Sequence, residues 1–234
     1  MIERAVEAGI ERICVPGWDR ASSEAAVQLA ARYPGLLVPA AGIHPHHVAA
    51  ATESDWRAIE ALAAEPAVVA VGEIGLDFYR DLSPRDAQRA ALARQLEIAA
   101  AVRKPVLIHD REAHDEVTNA LEAWQPPLPV RGVLHCFSGD ASMAERVIRA
   151  GYLVSCALAI RFRAWRTARG AVSALPADAI LVETDAPYLG STPGGRNEPV
   201  TVLSVAADLA RLRGTEPQAI AAHARQAWER LFAG

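Results

Sequence analysis

Lysine is almost missing from this 234-residue chain: Lys104 stands alone, and arginine carries the remaining positive charge. With 24 basic against 28 acidic residues the formal charge is −4. That balance excludes a nucleic-acid binder working through a global positive field. Any polyanionic substrate must be gripped locally, by a few side chains or through metal ions. Cysteine is nearly as scarce. Cys14, Cys136 and Cys156 are scattered in or beside apolar runs, the pattern of reduced buried thiols and not of a disulfide framework. No apolar run approaches the ~20 residues of a membrane span, and the N-terminus is a polar helical pattern without a signal-peptide core. These absences predict a cytoplasmic protein with no membrane partner.

What is present is a regular alternation. Short apolar runs at 12–15, 36–42, 67–73, 105–109, 131–135, 152–158 and 179–184 read as strands. Amphipathic patterns at 21–32, 54–64, 84–102, 112–124, 140–149 and about 165–175, with a final helical region at 200–232, read as helices. Strands separated by helices predict βα units in a parallel sheet, and near-continuous apolar strands fit a sheet covered on both faces. With no low-complexity linker, the expectation is one domain over 1–234. Seven strands are visible where a (β/α)8 barrel needs eight. The chain opens helix-then-strand, as though the first strand were missing. The predicted class is therefore an α/β, TIM-barrel-like fold lacking that strand, although counting alone also admits an open doubly wound sheet.

The strand ends carry the chemistry. Glu73 follows AVVAVG, His109 follows PVLI, His135 follows RGVL and Asp185 follows ILVET. In parallel α/β folds the carboxyl edge of the sheet is where active sites are built. Taken singly, a histidine there is an ordinary loop residue and an acid an ordinary turn former or helix cap. Two imidazoles and two carboxylates at equivalent places instead match a divalent-metal site. A cation also accounts for Glu73, since a carboxylate ending a buried strand is costly without a partner.

The segments GIHPH (42–46), GEIGLDFYR (72–80), PVLIHDRE (105–112), HCFSG (135–139) and ETDAPYL with RNEP (183–199) occur in the order and spacing of the TatD family of metal-dependent deoxyribonucleases. The chain resembles that family from about Ala5 to its end. The resemblance implies a TIM-barrel hydrolase of the amidohydrolase-like group, cleaving phosphodiester bonds in DNA with one or two divalent ions (Mg, Mn or Zn) per subunit. It implies that Glu73 bridges two ions, that His109 and His135 ligate one and that Asp185 ligates the other; from its place at the metal edge, Asp185 is also expected to act as general base. The family opens with a strand bearing a His-x-His pair, absent here, so reduced activity and a weak second metal position are expected. His44-Pro45-His46 is the only His-x-His of this chain. It matches a different family motif, which leaves it open as metal ligand, substrate contact or structural loop.

Arg80 and Arg111 are candidate phosphate contacts, and Arg196 and Asn197 lie in a Gly/Pro-rich loop placed to meet substrate. Asp77 is expected either to orient a ligand or to cap a turn. The helical stripes near 84–102 are read as packing surface. Two rival readings accompany the nuclease. One is a metallohydrolase of small esters or amides, which would want a carbamylated lysine ending a strand; Lys104 precedes one instead. The other is a catalytically lapsed barrel serving as a binding or scaffold protein.

Overall fold

The computed structural model describes residues 1–190 and 195–232. It is an α/β chain that divides into two compact units: Arg12–Val133 with the chain end from Leu231, and Met1–Glu11 with Leu134–Arg230. The chain enters through α1 (Ile2–Glu7), which belongs to the second unit.

The first unit is a run of βα repeats. Strands β1 (Ile13–Pro16), β2 (Leu37–Ala41), β3 (Ala70–Asp77) and β4 (Val106–Arg111) are parallel and lie side by side in chain order. Helices α2 (Arg20–Arg32), α3 (Glu53–Ala64), α4 (Arg85–Val102) and α5 (His114–Ala123) alternate with them. Two helix starts are fixed by capping boxes, Asp19 with Ser22 for α2 and Thr52 with Asp55 for α3, each satisfying backbone N–H groups that the first turn leaves unpaired. Between sheet and helices, Ile43, Trp56, Ile59, Leu62 and Val68 form a buried cluster. Every residue of β3 except Glu73 is buried, as expected for a strand covered on both faces.

β3 differs from expectation in length. It runs four residues past Glu73, and β4 runs two past His109, so neither residue ends its strand. A register shift between β3 and β4 falls between Val71 and Ile74, spanning Glu73. Such irregularities re-aim a side chain while the backbone stays extended. Beyond it Gly75 pairs with His109. Gly75 has φ +147°, and a methyl group there would sit 1.9 Å from the His109 carbonyl oxygen, so the absence of a side chain is what lets β3 approach β4 beside that histidine.

Strand β5 (Gly132–Leu134) stands at the division between the units. In the second unit come α6 (Ala141–Arg149), β6 (Tyr152–Cys156), α7 (Arg166–Ala174), β7 (Ile180–Val182), α8 (Val202–Arg213) and α9 (Pro217–Leu231). β6 and β7 pair in parallel, Ser155 opposite Leu181. The helical region expected at 200–232 is two helices, because Gly214 takes a left-handed conformation (φ 64°) and ends α8. Arg4 of α1 forms an ion pair with Glu198 at 2.7 Å. The described residues contain seven strands, and no helix among them is long and apolar enough to cross a membrane.

Gly75→Ala is expected to destabilise the protein by about 2 kcal/mol or more through backbone strain and steric conflict. Thermal unfolding followed by circular dichroism checks this; a midpoint lowered by at least roughly 4 °C is expected.

Candidate metal centre

In the first unit, three consecutive strands of the sheet bring a cluster of histidines and carboxylates together. His44 and His46 stand on the turn after β2, Glu73 and Asp77 on β3, and His109 on β4. The Glu73 Oε1 atom lies 3.0 Å from His109 Nδ1 and 3.3 Å from His44 Nε2. The Asp77 Oδ2 atom lies 2.7 Å from His46 Nε2 and 3.0 Å from His109 Nε2.

Asp77 organises this cluster. It is 2% exposed. Its Oδ1 accepts hydrogen bonds from the amides of Tyr79 (3.0 Å) and Arg80 (2.7 Å), while Oδ2 faces the two imidazoles. Burial opposes ionisation, yet the hydrogen bonds from His109, the Arg80 amide and His46 outweigh it. Together they hold the carboxyl well below the ordinary carboxylate range. Of the two roles left open for Asp77, the turn cap is present in the bonds from the Tyr79 and Arg80 amides, and the other oxygen faces His46 and His109.

The backbone around the cluster is clamped from one helix. Gln88 and Gln95 are seven residues apart on α4, two turns along one face, and both are buried. The Gln88 side chain accepts from the Asp77 amide (2.8 Å) and donates to the carbonyls of Asp77 (3.2 Å) and Ser83 (2.8 Å). The Gln95 side chain accepts from the Ile43 amide (2.7 Å) and donates to the Ile43 carbonyl (3.0 Å). A helix read as packing surface thus also satisfies the backbone on both sides of the histidine turn, next to His44 and at Asp77.

Hydrogen bonding fixes the rings. The Nδ1 atom of His44 accepts from the His46 amide (3.2 Å), so the neutral ring carries its proton on Nε2, toward Glu73. Burial lowers the His44 pKa to about 4, against the upward pull of Glu73. His109 donates through Nε2 to the ionised Asp77. Its neutral form therefore directs the Nδ1 lone pair at a carboxylate oxygen 3.0 Å away. Two lone pairs meet at that separation only when a proton or a cation lies between them. Carboxylate–histidine–metal is the arrangement in which an outer carboxylate sets the tautomer of a ligating imidazole, and the residues present fit a divalent ion held by Glu73 and His109. The expectation that the family's His-x-His pair is missing is not confirmed: ring nitrogens of His44, His46 and His109 lie within 4.8 Å of one another.

In the second unit, His135 follows β5, and its Nδ1 lies 3.5 Å from Glu183 Oε2. The other oxygen of Glu183 accepts from the Ser155 hydroxyl (2.6 Å) and from the Cys136 amide. Burial works against the Glu183 charge, but His135 and these donors prevail and keep the carboxyl below its usual pKa. Glu183 was not among the candidates, although it stands two residues before Asp185 in the same ETD segment. Asp185 lies beyond β7 with φ 56°, and its carbonyl accepts from the Tyr188 amide (2.8 Å).

Arg80 and Arg196 are exposed. Arg111 ends β4 with its guanidinium 4.9 Å from the centre of the Tyr79 ring. Asn197 departs from expectation: it is 2% exposed and its amide donates to the carbonyls of Thr184 (2.6 Å) and Leu189 (3.3 Å). It holds the segment after β7 in place instead of presenting itself to substrate. Residues 191–194 of the expected substrate loop lie outside the described residues. Lys104 donates to the carbonyls of Ala63 and Glu65, both at 2.6 Å, a backbone-holding role that leaves no carbamylated ligand for the ester or amide reading.

Comparison with known proteins agrees with this geometry. The crystal structure of YJJV, a TatD homolog from Escherichia coli K12, superposes with a TM-score of 0.92 at 31% identity, covering 99% of this chain and 90% of that one. A TIM-barrel-like α/β chain with histidines and carboxylates gathered on its strands is a protein of the metal-binding hydrolase class. More particularly, the profile of the TatD related DNase family matches residues 1–233, and the chain belongs to that family. The 3'-5' ssDNA/RNA exonuclease TatD of Erwinia billingiae is 37% identical over 94% of this chain and 87% of its own length. The metal-dependent hydrolase YabD of Bacillus subtilis, otherwise uncharacterised, is 35% identical over 99% and 91%.

The titrations in the cluster have a consequence for stability. An unfolded histidine titrates near 6.5 and folded His44 at about 4, so the unfolded chain takes up the proton first. His44 therefore causes no loss above about pH 6.5 and destabilises the fold as pH falls toward 4. Asp77, whose folded pKa is depressed, contributes stability that is present above the ordinary carboxylate pKa and lost below it. Unfolding midpoints measured by calorimetry are expected to fall between pH 6.5 and 4, less steeply in His44→Asn. An identical slope in both proteins would contradict the assignment to His44.

Proposed function

We propose that the chain is a metal-dependent phosphodiesterase acting on single-stranded nucleic acid, with residues 1–234 working as one hydrolase domain. The observation that carries this reading is the Glu73–His109 pair, 3.0 Å apart with His109 oriented from behind by Asp77. Membership of the family and the activity named for the Erwinia relative support the choice of substrate class.

Glu73 and His109 would hold a divalent ion in the first unit; His135 and Asp185, which follow β5 and β7 in the second unit, are further candidate metal ligands. When bound, the ion lowers the pKa of a water toward neutrality and offsets charge on the phosphoryl oxygens. Asp185 accepts the proton of the attacking water as general base. Asp77 keeps His109 in the tautomer that offers Nδ1 as donor atom. Glu183 holds His135 in the corresponding way, its own charge stabilised by Ser155 and the Cys136 amide. His44 and His46 serve substrate better than metal: His44 Nδ1 is committed to an amide and His46 Nε2 to Asp77. Arg80, Arg111 and Arg196 meet phosphates, and Asn197 acts by fixing the loop that carries Arg196.

The test is degradation of a labelled single-stranded DNA and RNA oligonucleotide with added Mn²⁺ or Mg²⁺. The purified protein is expected to shorten the strand, to stop with chelator, and to lose at least about 100-fold in rate as Glu73→Ala, more than loss of an outer partner alone costs. Equal rates for both proteins would overturn the reading. Asp77→Asn retains shape but presents an amide to the two imidazoles. It is expected to weaken Mn²⁺ binding by about 10–100-fold, measured by isothermal titration, and unchanged affinity would remove Asp77 from the mechanism.

A further inference from the structure

Four aromatic side chains rank among the exposed large hydrophobics of the described residues: Trp18 at 50%, Tyr79 at 60%, Phe162 at 40% and Tyr188 at 70%. An exposed aromatic alone needs no explanation, and Phe162 has an aromatic neighbour in Trp165 at 6.3 Å. The other three share a placement. Each follows a strand, and each is one backbone hydrogen bond from a residue of the proposed site. The Trp18 carbonyl accepts from the His44 amide at 2.9 Å, the Tyr79 amide donates to Asp77 Oδ1 at 3.0 Å, and the Tyr188 amide donates to the Asp185 carbonyl at 2.8 Å.

In the first unit the backbone under these rings is firmly held. The Trp18 amide donates to the Ser22 hydroxyl (2.9 Å), part of the cap that starts α2. The Tyr79 backbone is pinned by Asp77, itself clamped by Gln88. The Arg111 guanidinium lies over the Tyr79 ring, and Arg111 is two residues beyond His109 on β4, on the same side of that strand. Because β1, β2 and β3 are neighbours in that order, the Trp18 and Tyr79 loops flank the turn bearing His44 and His46.

We propose that Trp18 and Tyr79 are stacking platforms for unpaired nucleobases on either side of the histidine turn, with Arg111 backing the Tyr79 ring. This inference rests on the reading of the chain as a nucleic-acid phosphodiesterase and adds how the strand is gripped. Stacking needs no positive field, which suits a chain of formal charge −4. It tolerates any base sequence and demands bases free of a duplex partner. Single strands are therefore bound in preference to duplexes, and bases contribute to binding as well as phosphates.

Fluorescence anisotropy in chelator, with no hydrolysis, compares a labelled oligo-dT with an abasic strand of equal length. The unsubstituted protein is expected to bind oligo-dT more tightly than the abasic strand. Trp18→Ala and Tyr79→Ala are each expected to weaken oligo-dT binding about 5- to 100-fold and leave abasic binding nearly unchanged, while Trp18→Phe and Tyr79→Phe retain most of the base preference. Both side chains are exposed, so folding is expected to survive, as circular dichroism will show. Alanine variants with an unchanged preference for oligo-dT, or an unsubstituted protein with none, would overturn the proposal. The readout requires no turnover, so it is separable from the hydrolysis assay: base-dependent binding without metal-dependent cleavage would sink the phosphodiesterase reading alone.

Discussion

A single buried carboxylate shared between two imidazoles sets the geometry on which the proposed chemistry depends. Asp77 receives two amide protons on one oxygen and faces His46 and His109 with the other. Such a group is expensive to bury unless fully satisfied, and α4 contributes by holding the Asp77 backbone through Gln88. With Asp77 ionised, the His109 tautomer follows, and with it the direction of the lone pair that meets Glu73. The proposed metal site is thus specified one layer behind its ligands.

The same layering recurs in the second unit with other residue types. Glu183 approaches His135 and is stabilised by the Ser155 hydroxyl and the Cys136 amide. In both places a carboxylate is kept charged by its imidazole partner together with fixed amide or hydroxyl donors. In the proposed account an acidic chain meets a polyanion in this way: metal ions would supply positive charge at the scissile bond, and aromatic faces would supply grip that salt does not screen.

Much of this was legible in the sequence. The seven strands, and the helices between them, follow from apolar runs alternating with 3.6-residue periodicity, and their positions fit within a few residues. Glu73 and His109 stood out because an ionisable group closing an apolar run asks for a partner. The irregular stretch at Glu73 did not show, because a register shift depends on the neighbouring strand, so β3 reads four residues short. Gln88 and Gln95 were hidden for a related reason: on an amphipathic helix a glutamine reads as polar surface, and only the fold reveals that it faces the sheet. Glu183 was masked by Asp185, two residues away in the same motif. The composition of its loop marks Asn197 as a substrate contact, whereas its burial and its hydrogen bonds to Thr184 and Leu189 give it a holding role.

The most direct measurement of the central claim is anomalous X-ray scattering from crystals of this protein soaked in Mn²⁺. The account predicts a manganese peak in coordinating contact with both the Glu73 carboxylate and Nδ1 of His109, with Nε2 of His109 still on Asp77. Well-ordered crystals with no peak at that pair, or with His109 turned so that Nδ1 faces Asp77, would contradict it.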